Sequence, residues 1–356
     1  MIVLIEPSQF NLTATVLELG LALAVTTFVS AAVTRVIGAA GHRWQLTDQP
    51  NDRSSHIRPT PTGGGLGIIL GIWAGFACLL LVRAPLPAFP TWGLIAASVI
   101  IVPAVLDDVG PGFTVFQKLV LQIVGALVWI ALVAPFPWIT VPLLGRLEFS
   151  LPWMWVVSVF WFVFLMNVYN FMDGIDGLSA VQAITICAWL AFFLEGTFLV
   201  AFALLIAAGS GGFWIYNRKP SHIFMGDVGS LFLGLAIASL AVAGEAHGLP
   251  FWVPVLLLSV YIYDVLYTLT RRALRRENLL RAHRQHLYQR LDQLGWRHSH
   301  ITAIVGMLNC ALGIGLYCVL HEMHGIGVGI FATLASLIIA LTIFVEAKLP
   351  VVVADR

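Results

Sequence analysis

The chain has 356 residues, of which 59% are hydrophobic and 10% are charged, and its mean hydropathy is +0.92. An ordinary soluble protein carries roughly 25% charged residues, so this composition excludes a soluble enzyme, a disordered chain, a coiled coil and a nucleic-acid-binding module. The formal net charge of +1 points to no partner by itself. The composition predicts an all-α, polytopic integral membrane protein.

Apolar runs divide the chain into eleven predicted transmembrane helices. A crossing needs about 20 mostly apolar residues, and we predict crossings near 13–38, 63–83, 90–106, 114–134, 151–170, 178–195, 197–216, 228–245, 250–270, 301–320 and 325–346. No internal repeat is obvious, so residues 1–356 are treated as a single transmembrane domain. The first segment carries Glu6 and Glu18 and no basic residue before Arg35, and we do not expect it to be a cleavable signal.

The basic residues lie mainly on one side of the membrane. Seventeen of the nineteen Lys and Arg residues fall in or beside the loops that follow odd-numbered spans, whereas Arg83 and Arg146 lie on the other side. By the positive-inside rule the basic side is cytoplasmic, which predicts a periplasmic N-terminus and a cytoplasmic C-terminus. The cytoplasmic loops then lie near 41–62, 107–113, 167–178, 217–230 and 271–300.

All ten aspartates lie in the cytoplasmic side or near the span ends that face it. They include Asp107 and Asp108 at the end of the third span, Asp173 and Asp176 between the fifth and the sixth, and Asp227 at the start of the eighth. Carboxylates beside a bilayer are costly unless they are solvated, paired or bound to a cation. Their gathering at one level suggests a divalent cation, most simply Mg²⁺, although a solvated helix cap is the alternative for any one segment.

The stretch 167–177 is the densest in polar side chains. Asn167, Asn170 and Asp173 are spaced by three, so neighbours share a helix face, and Gly174 and Gly177 then allow a tight turn. Two amides and two acids at the end of a span are poor packing residues, which favours a functional site.

The stretch 224–230 places Asp227 and two glycines at the start of a predicted helix, just after Phe224. Free N–H groups at a helix N-terminus favour phosphate, which Asp227 would repel unless a metal ion lay between them. We therefore expect a metal-bridged diphosphate here. Phe224 is predicted either to stack on a base or to be a membrane-interface aromatic.

Two loops allow more than one interpretation. Residues 51–65, with their prolines and three glycines, form either a plain linker or backbone that approaches a ligand closely. Residues 271–299 hold eight arginines, which are expected to anchor the topology and to meet anionic lipid headgroups. Arg281, His283 and His286 are harder to explain that way and are candidates for binding substrate phosphates.

Two further features in this region are ambiguous as well. Leu287, Leu291 and Leu294 have helical spacing, which predicts a short amphipathic helix lying on the membrane. Asp264 falls inside the ninth predicted span, and an acid in that position is either a functional group or part of a structural salt bridge.

Taken in order, these motifs resemble those of the polyprenyl-phosphate N-acetylhexosamine-1-phosphate transferase superfamily (MraY-like and WecA-like enzymes, glycosyltransferase family 4). The matching motifs are Pro59-Thr-Pro-Thr-Gly-Gly-Gly65, Leu106-Asp107-Asp108, Asn167-x-x-Asn170-x-x-Asp173-Gly-x-Asp176-Gly-Leu178, and Asn217-x-x-Pro220 followed by Phe224-Met-Gly-Asp227-x-Gly229-Ser230. The resemblance covers about residues 50–290, and the second and fourth motifs together are highly specific, although an Asp-Asp pair alone would be weak.

Local sequence resembles the O-antigen-initiating, WbpL-type branch of that superfamily. The run Arg53-Ser-Ser-His56 and the run from Arg281 to Arg290 carry this likeness. The phospho-MurNAc-pentapeptide translocase has lysines where this chain has Pro59 and Pro111. These departures argue against a MurNAc-pentapeptide substrate.

The resemblance implies a reaction at the cytoplasmic face of a bacterial inner membrane. A phosphate oxygen of undecaprenyl phosphate attacks the β-phosphorus of a UDP-N-acetylhexosamine, UMP leaves, and an undecaprenyl-diphospho-sugar forms to start O-antigen, lipopolysaccharide or related glycan synthesis. The implied cofactor is Mg²⁺, which Mn²⁺ is expected to replace, and the resemblance loosely suggests a homodimer. The sequence leaves open whether the sugar is GlcNAc, FucNAc or QuiNAc.

The resemblance also implies roles for the matched residues. Asp107, Asp108 and Asp227 are the catalytic candidates, with Asp107 deprotonating or orienting the lipid phosphate, and Asp227, Asp108 and Asp173 are the candidate Mg²⁺ ligands. The substrate-binding candidates are Asn167, Asn170, Asp173 and Asp176 for the nucleotide and diphosphate, Asn217 and Phe224 for uracil, Arg281, His283 and His286 for the diphosphate or the sugar, and Lys118 for the lipid phosphate. Direct attack and a covalent aspartyl intermediate both stay open.

Two other functional classes compete with this interpretation. A transporter or flippase of a lipid-linked or anionic substrate would place ionisable residues near the bilayer midplane, on broken helices in matching halves. The acids here gather at one face instead. A different membrane phosphotransferase, such as a CDP-alcohol enzyme or a polyprenyl-diphosphate phosphatase, would share the carboxylates but lack the Asn-rich and Phe-Met-Gly-Asp motifs.

Overall fold

The computed structural model describes residues 12–49, 59–82, 98, 107, 112–218, 220–281 and 283–349. The helices in this part of the chain are α1 (Leu12–Ala40), α2 (Gly65–Leu81), α3 (Val115–Leu132), α4 (Leu151–Met172), α5 (Leu178–Phe193), α6 (Leu199–Asn217), α7 (Gly226–Ala246), α8 (Trp252–Leu257), α9 (Ser259–Leu274), α10 (Leu287–Gln293), α11 (His298–Leu320) and α12 (His324–Lys348). Two small antiparallel hairpins accompany them, β1 (Thr47–Asp48) with β2 (Thr60–Pro61), and β3 (Ile139–Val141) with β4 (Gly145–Leu147).

The described helices confirm a multi-pass, helical membrane protein. Seven of them are long and apolar enough to cross a bilayer by length and composition, and these are α1 (from Val16), α3, α4, α6, α7, α11 and α12. Helices α2 and α5 are apolar but shorter. The count of eleven spans and the orientation in the membrane stay predictions.

Two of the predicted spans need separate comment. The ninth, near 250–270, is not one helix but α8 followed by α9, with Leu258 between them. The third, near 90–106, lies outside the described residues apart from Ser98.

Helix α7 forms the centre of the bundle, and almost all of its residues are buried. It packs against α2, α4, α5 and α6. Such central packing needs small side chains at the closest approaches, and a Cβ on Gly234 would lie 2.6 Å from the Cα of Met166 in α4. Because α7 starts with Gly226 and Asp227, this packing fixes the position of the Asp227 backbone within the bundle.

Helix α10 corrects one expectation. The sequence predicts an amphipathic helix lying on the membrane, but Leu287 and Leu291 are buried inside the protein. Arg290 of the same helix is also buried and forms a salt bridge with Glu346 of α12, with 2.5 Å between Nη1 and Oε1. The leucine spacing correctly predicts a helix. This helix packs against the protein because its apolar face is buried and Arg290 pairs with Glu346.

Candidate active site

Lys118 joins the second and fourth motifs at one point. Its ammonium nitrogen lies 2.6 Å from Asp107 Oδ2 and 2.7 Å from Asp227 Oδ2. The start of α3 explains the position of Lys118: Thr114 Oγ1 accepts the Gln117 N–H, and Gln117 Oε1 accepts the Thr114 N–H. This capping box begins the helix and places Lys118 in its first turn. Two carboxylates from distant parts of the sequence therefore share one cation.

The Asn-rich motif reaches the same cluster from α4. Asn170 Nδ2 donates to Asp227 Oδ1 at 2.8 Å and to Ser230 Oγ at 3.1 Å. Asn167, one turn earlier, pairs with Gln122 of α3, and its Nδ2 lies 2.6 Å from Gln122 Oε1. Asp107 of the second motif, Asn170 of the third and Asp227 of the fourth therefore lie in one cluster, as the sequence predicts.

The Gly-rich segment packs against the Phe-Met-Gly-Asp segment. The N–H groups of Gly64 and Gly65 donate to the carbonyls of Phe224 and Met225, both at 2.9 Å. A Cβ on Gly65 would lie 2.2 Å from the Cα of Gly229, so no larger residue fits there. These two glycines therefore let the Gly-rich segment lie close to the backbone of residues 224–229. This packing fixes the turn that begins α7.

The turn between α4 and α5 carries Asp173 and Asp176. Asp173 ends α4, and Gly177 precedes α5 with φ of +80°, a left-handed conformation that glycine adopts without strain. The Gly177 N–H donates to Asn217 Oδ1 at 2.8 Å, and Asn217 Nδ2 donates to the Ile223 carbonyl at 2.9 Å. Asn217 is buried and uses its amide to join two backbone segments; a contact of Asn217 with uracil stays a prediction.

Two carboxyl groups in the site have displaced pKa values. Burial raises the pKa of Asp107, but hydrogen bonds from Lys118 and from the Phe113 N–H more than offset this, so the pKa lies below its ordinary value. Burial raises the pKa of Asp173 to about 7; a contact with Ser179 lowers it, while the charges of Asp227 and Asp176 raise it further. Asp107 is thus ionised at neutral pH, and Asp173 is close to half-protonated in the absence of a cation.

The donor chemistry of the cluster fits Mg²⁺. Asp107 and Asp227 supply carboxylate oxygens, the donors that Mg²⁺ prefers, and Mg²⁺ is commonly held by one or two carboxylates together with substrate phosphates. Both acids also form ion pairs with Lys118. No group of three or more His, Cys, Asp or Glu in the described residues is arranged to hold a metal by itself. Asp108, a predicted ligand, lies outside the part of the chain that the structure describes.

The loop after α9 is organised by Asp264. Its carboxylate accepts the N–H groups of Leu287 at 2.9 Å and Tyr288 at 3.0 Å, and His286 Nδ1 lies 3.1 Å away. Of the two interpretations of Asp264, the structure shows the structural one, because the side chain holds the start of α10. His286 is buried against this acid.

The other two candidates in that loop are more accessible. Arg281 is exposed, and His283 is half-buried with its ring centroid 5.0 Å from that of His286. Burial, His286 and Arg272 together lower the pKa of His283 to about 4, so the imidazole is neutral at physiological pH. A neutral His283 can donate a hydrogen bond to a phosphate but adds no charge.

Several residues near the site are not among the sequence candidates. Ser230 lies within a quoted motif and Gln122 lies one helical turn after Lys118, so spacing could have indicated both. His298 and Thr302, in the first turns of α11, contact Asp176. Nothing local in the sequence links α11 to Asp176, because the contact spans more than 120 residues. Phe224 is half-buried beside these groups.

Comparison with known proteins agrees with this arrangement. A family model described as "Glycosyl transferase family 4" matches residues 91–245. A probable undecaprenyl-phosphate N-acetylglucosaminyl 1-phosphate transferase of Bacillus subtilis (strain 168) is 28% identical over 290 residues, which cover 79% of this chain and 79% of the relative. These matches support the resemblance of this chain to the polyprenyl-phosphate N-acetylhexosamine-1-phosphate transferase superfamily.

Two further relatives carry names with different sugar substrates. A decaprenyl-phosphate N-acetylglucosaminephosphotransferase of Mycobacterium leprae (strain TN) is 28% identical and covers 80% of this chain and 79% of its own length. A phospho-N-acetylmuramoyl-pentapeptide-transferase of Latilactobacillus sakei (strain 23K) is 35% identical over 200 residues, which are 51% of this chain and 61% of the relative. The family model and these relatives together confirm the superfamily resemblance, while the WbpL-type branch stays a prediction.

Proposed function

We propose that this protein transfers an N-acetylhexosamine 1-phosphate from a UDP-sugar to undecaprenyl phosphate at the cytoplasmic face of the inner membrane. The cluster of Asp107, Lys118 and Asp227 carries the proposal, because it joins two motif acids around one cationic position. The names of the full-length relatives support a polyprenyl-phosphate acceptor and an N-acetylhexosamine 1-phosphate donor.

The reaction is a displacement at phosphorus. A phosphate oxygen of the lipid attacks the β-phosphorus of the UDP-sugar, the bond to the bridging oxygen breaks, and UMP leaves with that oxygen. The sugar C1–O bond is untouched, so the anomeric configuration is retained. Phosphoryl transfer needs positioning and charge neutralisation more than covalent chemistry, and a cluster of fixed charges supplies both.

Lys118 is suited to bind the lipid phosphate. An ammonium has three N–H donors, and among the described residues Asp107 and Asp227 take two of them, so one remains for an incoming anion. The Lys118 side chain is 36% exposed, so an anion can reach it. Ionised Asp107, held next to Lys118, would then orient the lipid phosphate or accept its proton.

Asp227 is the principal candidate for holding Mg²⁺, with Asp108 and Asp173 as further ligands. A bound Mg²⁺ would neutralise the charge that develops on the diphosphate oxygens as UMP leaves. Asn170 fixes one oxygen of Asp227, which leaves the other directed at the cationic position. The near-neutral pKa of Asp173 lets this group bind a cation only after it loses its proton.

The sugar is proposed to be a simple N-acetylhexosamine, in an O-antigen or related pathway. The relatives include both N-acetylglucosamine and N-acetylmuramoyl-pentapeptide enzymes. We base the choice between them on Pro59 and Pro111, where the resemblance implies lysines in a pentapeptide enzyme.

The test is UMP release by purified protein with undecaprenyl phosphate, Mg²⁺ and a panel of UDP-sugars that includes UDP-MurNAc-pentapeptide. We expect release that depends on the lipid and stops with EDTA, and that Mn²⁺ restores in part. Absence of UMP with every sugar, from protein shown to be folded, would contradict the proposal and reopen the transport alternative.

A further inference from the structure

The backbone of Asp176 is held by α11. His298 Nδ1 lies 3.3 Å from Asp176 Oδ2 and 3.3 Å from the Asp176 backbone nitrogen. One turn further along α11, Thr302 Oγ1 donates to the Asp176 carbonyl oxygen at 3.2 Å. The glycines on both sides of Ile175-Asp176 let the chain turn but do not hold it, so the orientation of this acid depends on partners from another helix.

His298 is itself oriented by a second acid. Its Nε2 lies 3.1 Å from Asp292 Oδ1, and Arg284 Nη2 donates to Asp292 Oδ2 at 3.2 Å. The imidazole is 4% exposed, so water does not compete freely for its nitrogens. When Nε2–H donates to Asp292, Nδ1 is left as an acceptor for the Asp176 N–H. Both ring nitrogens are therefore used, and the ring has one defined orientation.

We propose that His298 is a positioning residue that fixes Asp176 for the uridine-nucleotide half of the donor substrate. Asp292 orients the imidazole, and Arg284 connects this chain of contacts to the arginine-rich loop. Because the proposed function places Asp176 in the donor site, the role of His298 rests on that function. No charge on His298 is required, since an oriented neutral ring already holds the Asp176 backbone.

Three variants separate this role from general stability. His298→Ala removes both contacts, whereas His298→Asn puts an amide close to the Nδ1 position and retains the contact with Asp176. His300→Ala is the matched control, because His300 lies in the same first turn of α11 but is exposed. If His298→Ala does not fold, His298→Asn and Asp292→Ala still carry the comparison.

The readouts are the two Michaelis constants and the affinity for UDP in the presence of Mg²⁺, measured by calorimetry in detergent. Losing a hydrogen bond between neutral groups typically changes an equilibrium constant by about 3- to 10-fold, so we expect His298→Ala to raise KM for the UDP-sugar and the Kd for UDP by about that factor. The KM for undecaprenyl phosphate should stay within about twofold, since Lys118 and Asp107 are untouched. His298→Asn should recover most of the loss, and His300→Ala should match wild type.

A double-mutant cycle tests whether His298 acts through Asp176. On an Asp176→Asn background, His298→Ala should cost far less than it does alone, because coupled residues are not additive. Additive losses, or equal changes in both Michaelis constants, would overturn the positioning role. If the wild-type protein binds UDP but releases no UMP, the proposed transferase function is wrong. The double-mutant cycle measured on the Kd for UDP would then still decide whether His298 positions Asp176. Wild type that binds no UDP would overturn both.

Discussion

Lys118 and Asp227 form an ion pair with 2.7 Å between Nζ and Oδ2, although 109 residues separate them in the chain. The same ammonium lies 2.6 Å from Asp107, so it is the counterion of two acids. Removing one member of this half-buried cluster leaves the other charges without a counterion. The free-energy cost of an uncompensated buried charge is larger than the stability that the intact ion pair contributes.

Lys118→Met should therefore reduce kcat/KM for UMP release by about 100-fold or more, the usual effect of removing one preorganised donor. Lys118→Arg should retain a measurable fraction, because it keeps the charge. The measurement is UMP release at varied undecaprenyl phosphate, with membrane insertion and thermal unfolding as controls. A Lys118→Met enzyme with normal kinetics would remove Lys118 from the site.

Asp227→Asn should abolish detectable turnover while the fold survives. Asparagine has nearly the same shape and keeps an oxygen for Asn170, but it loses the charge that faces Lys118 and any Mg²⁺. Glu195→Gln is a suitable control, because Glu195 is an exposed acid beyond the end of α5. Turnover by Asp227→Asn at the wild-type rate would contradict a role for this carboxylate.

Gly65→Ala tests whether glycine packing positions the start of α7. A Cβ at Gly65 would meet Gly229 backbone at 2.2–2.4 Å, whereas a Cβ at Gly211 would have no atom within 4 Å. We expect Gly65→Ala to lower Tm and activity together, and Gly211→Ala, in the middle of a helix, to be neutral or slightly stabilising. Equal Tm values for the two variants would show that the contact relaxes at little cost.

Asp264→Ala should loosen the start of α10. Two backbone N–H groups lose their acceptor, and a lost helix cap costs about 1 kcal/mol. The measurable consequence is faster trypsin cleavage in the arginine-rich loop of detergent-solubilised protein, with Glu277→Ala as the comparison within the same loop. Unchanged cleavage would mean that the remaining contacts of α10 suffice to hold it.

His283 gives a pH dependence with a defined sign. The pKa of His283 is about 4 in the folded protein and about 6.5 in an unfolded chain. As pH falls from 6.5 towards 4 the unfolded state binds the extra proton, so the contribution of His283 to stability is present above pH 6.5 and is lost below it. The Tm of the wild-type protein should fall more between pH 7 and pH 5 than the Tm of the His283→Gln variant. An equal fall in both proteins would show that His283 is solvated in the folded state.

Local patterns in the sequence predict the protein class, most helix positions and a set of candidate site residues. Ten of the eleven predicted spans coincide with described helices, and the ninth coincides with two consecutive helices, α8 and α9. The agreement is good because hydrophobicity over about 20 residues is a local property of the sequence. The motifs fell at helix ends for the same reason: Asn170 closes α4 and Asp227 opens α7. The two glycines also predicted a tight turn after α4, and Gly177 adopts a left-handed conformation there.

Only the tertiary structure decided which of these residues meet. It paired Lys118 with two acids, used Asn217 to join two backbone segments, and placed Asp264 and His286 together at the start of α10. These contacts depend on the rotation and depth at which helices pack, and those are set by side-chain fit along entire helices, such as Gly65 against Gly229. A motif records which residue types a site needs, but the partner of each side chain is a property of the packed bundle.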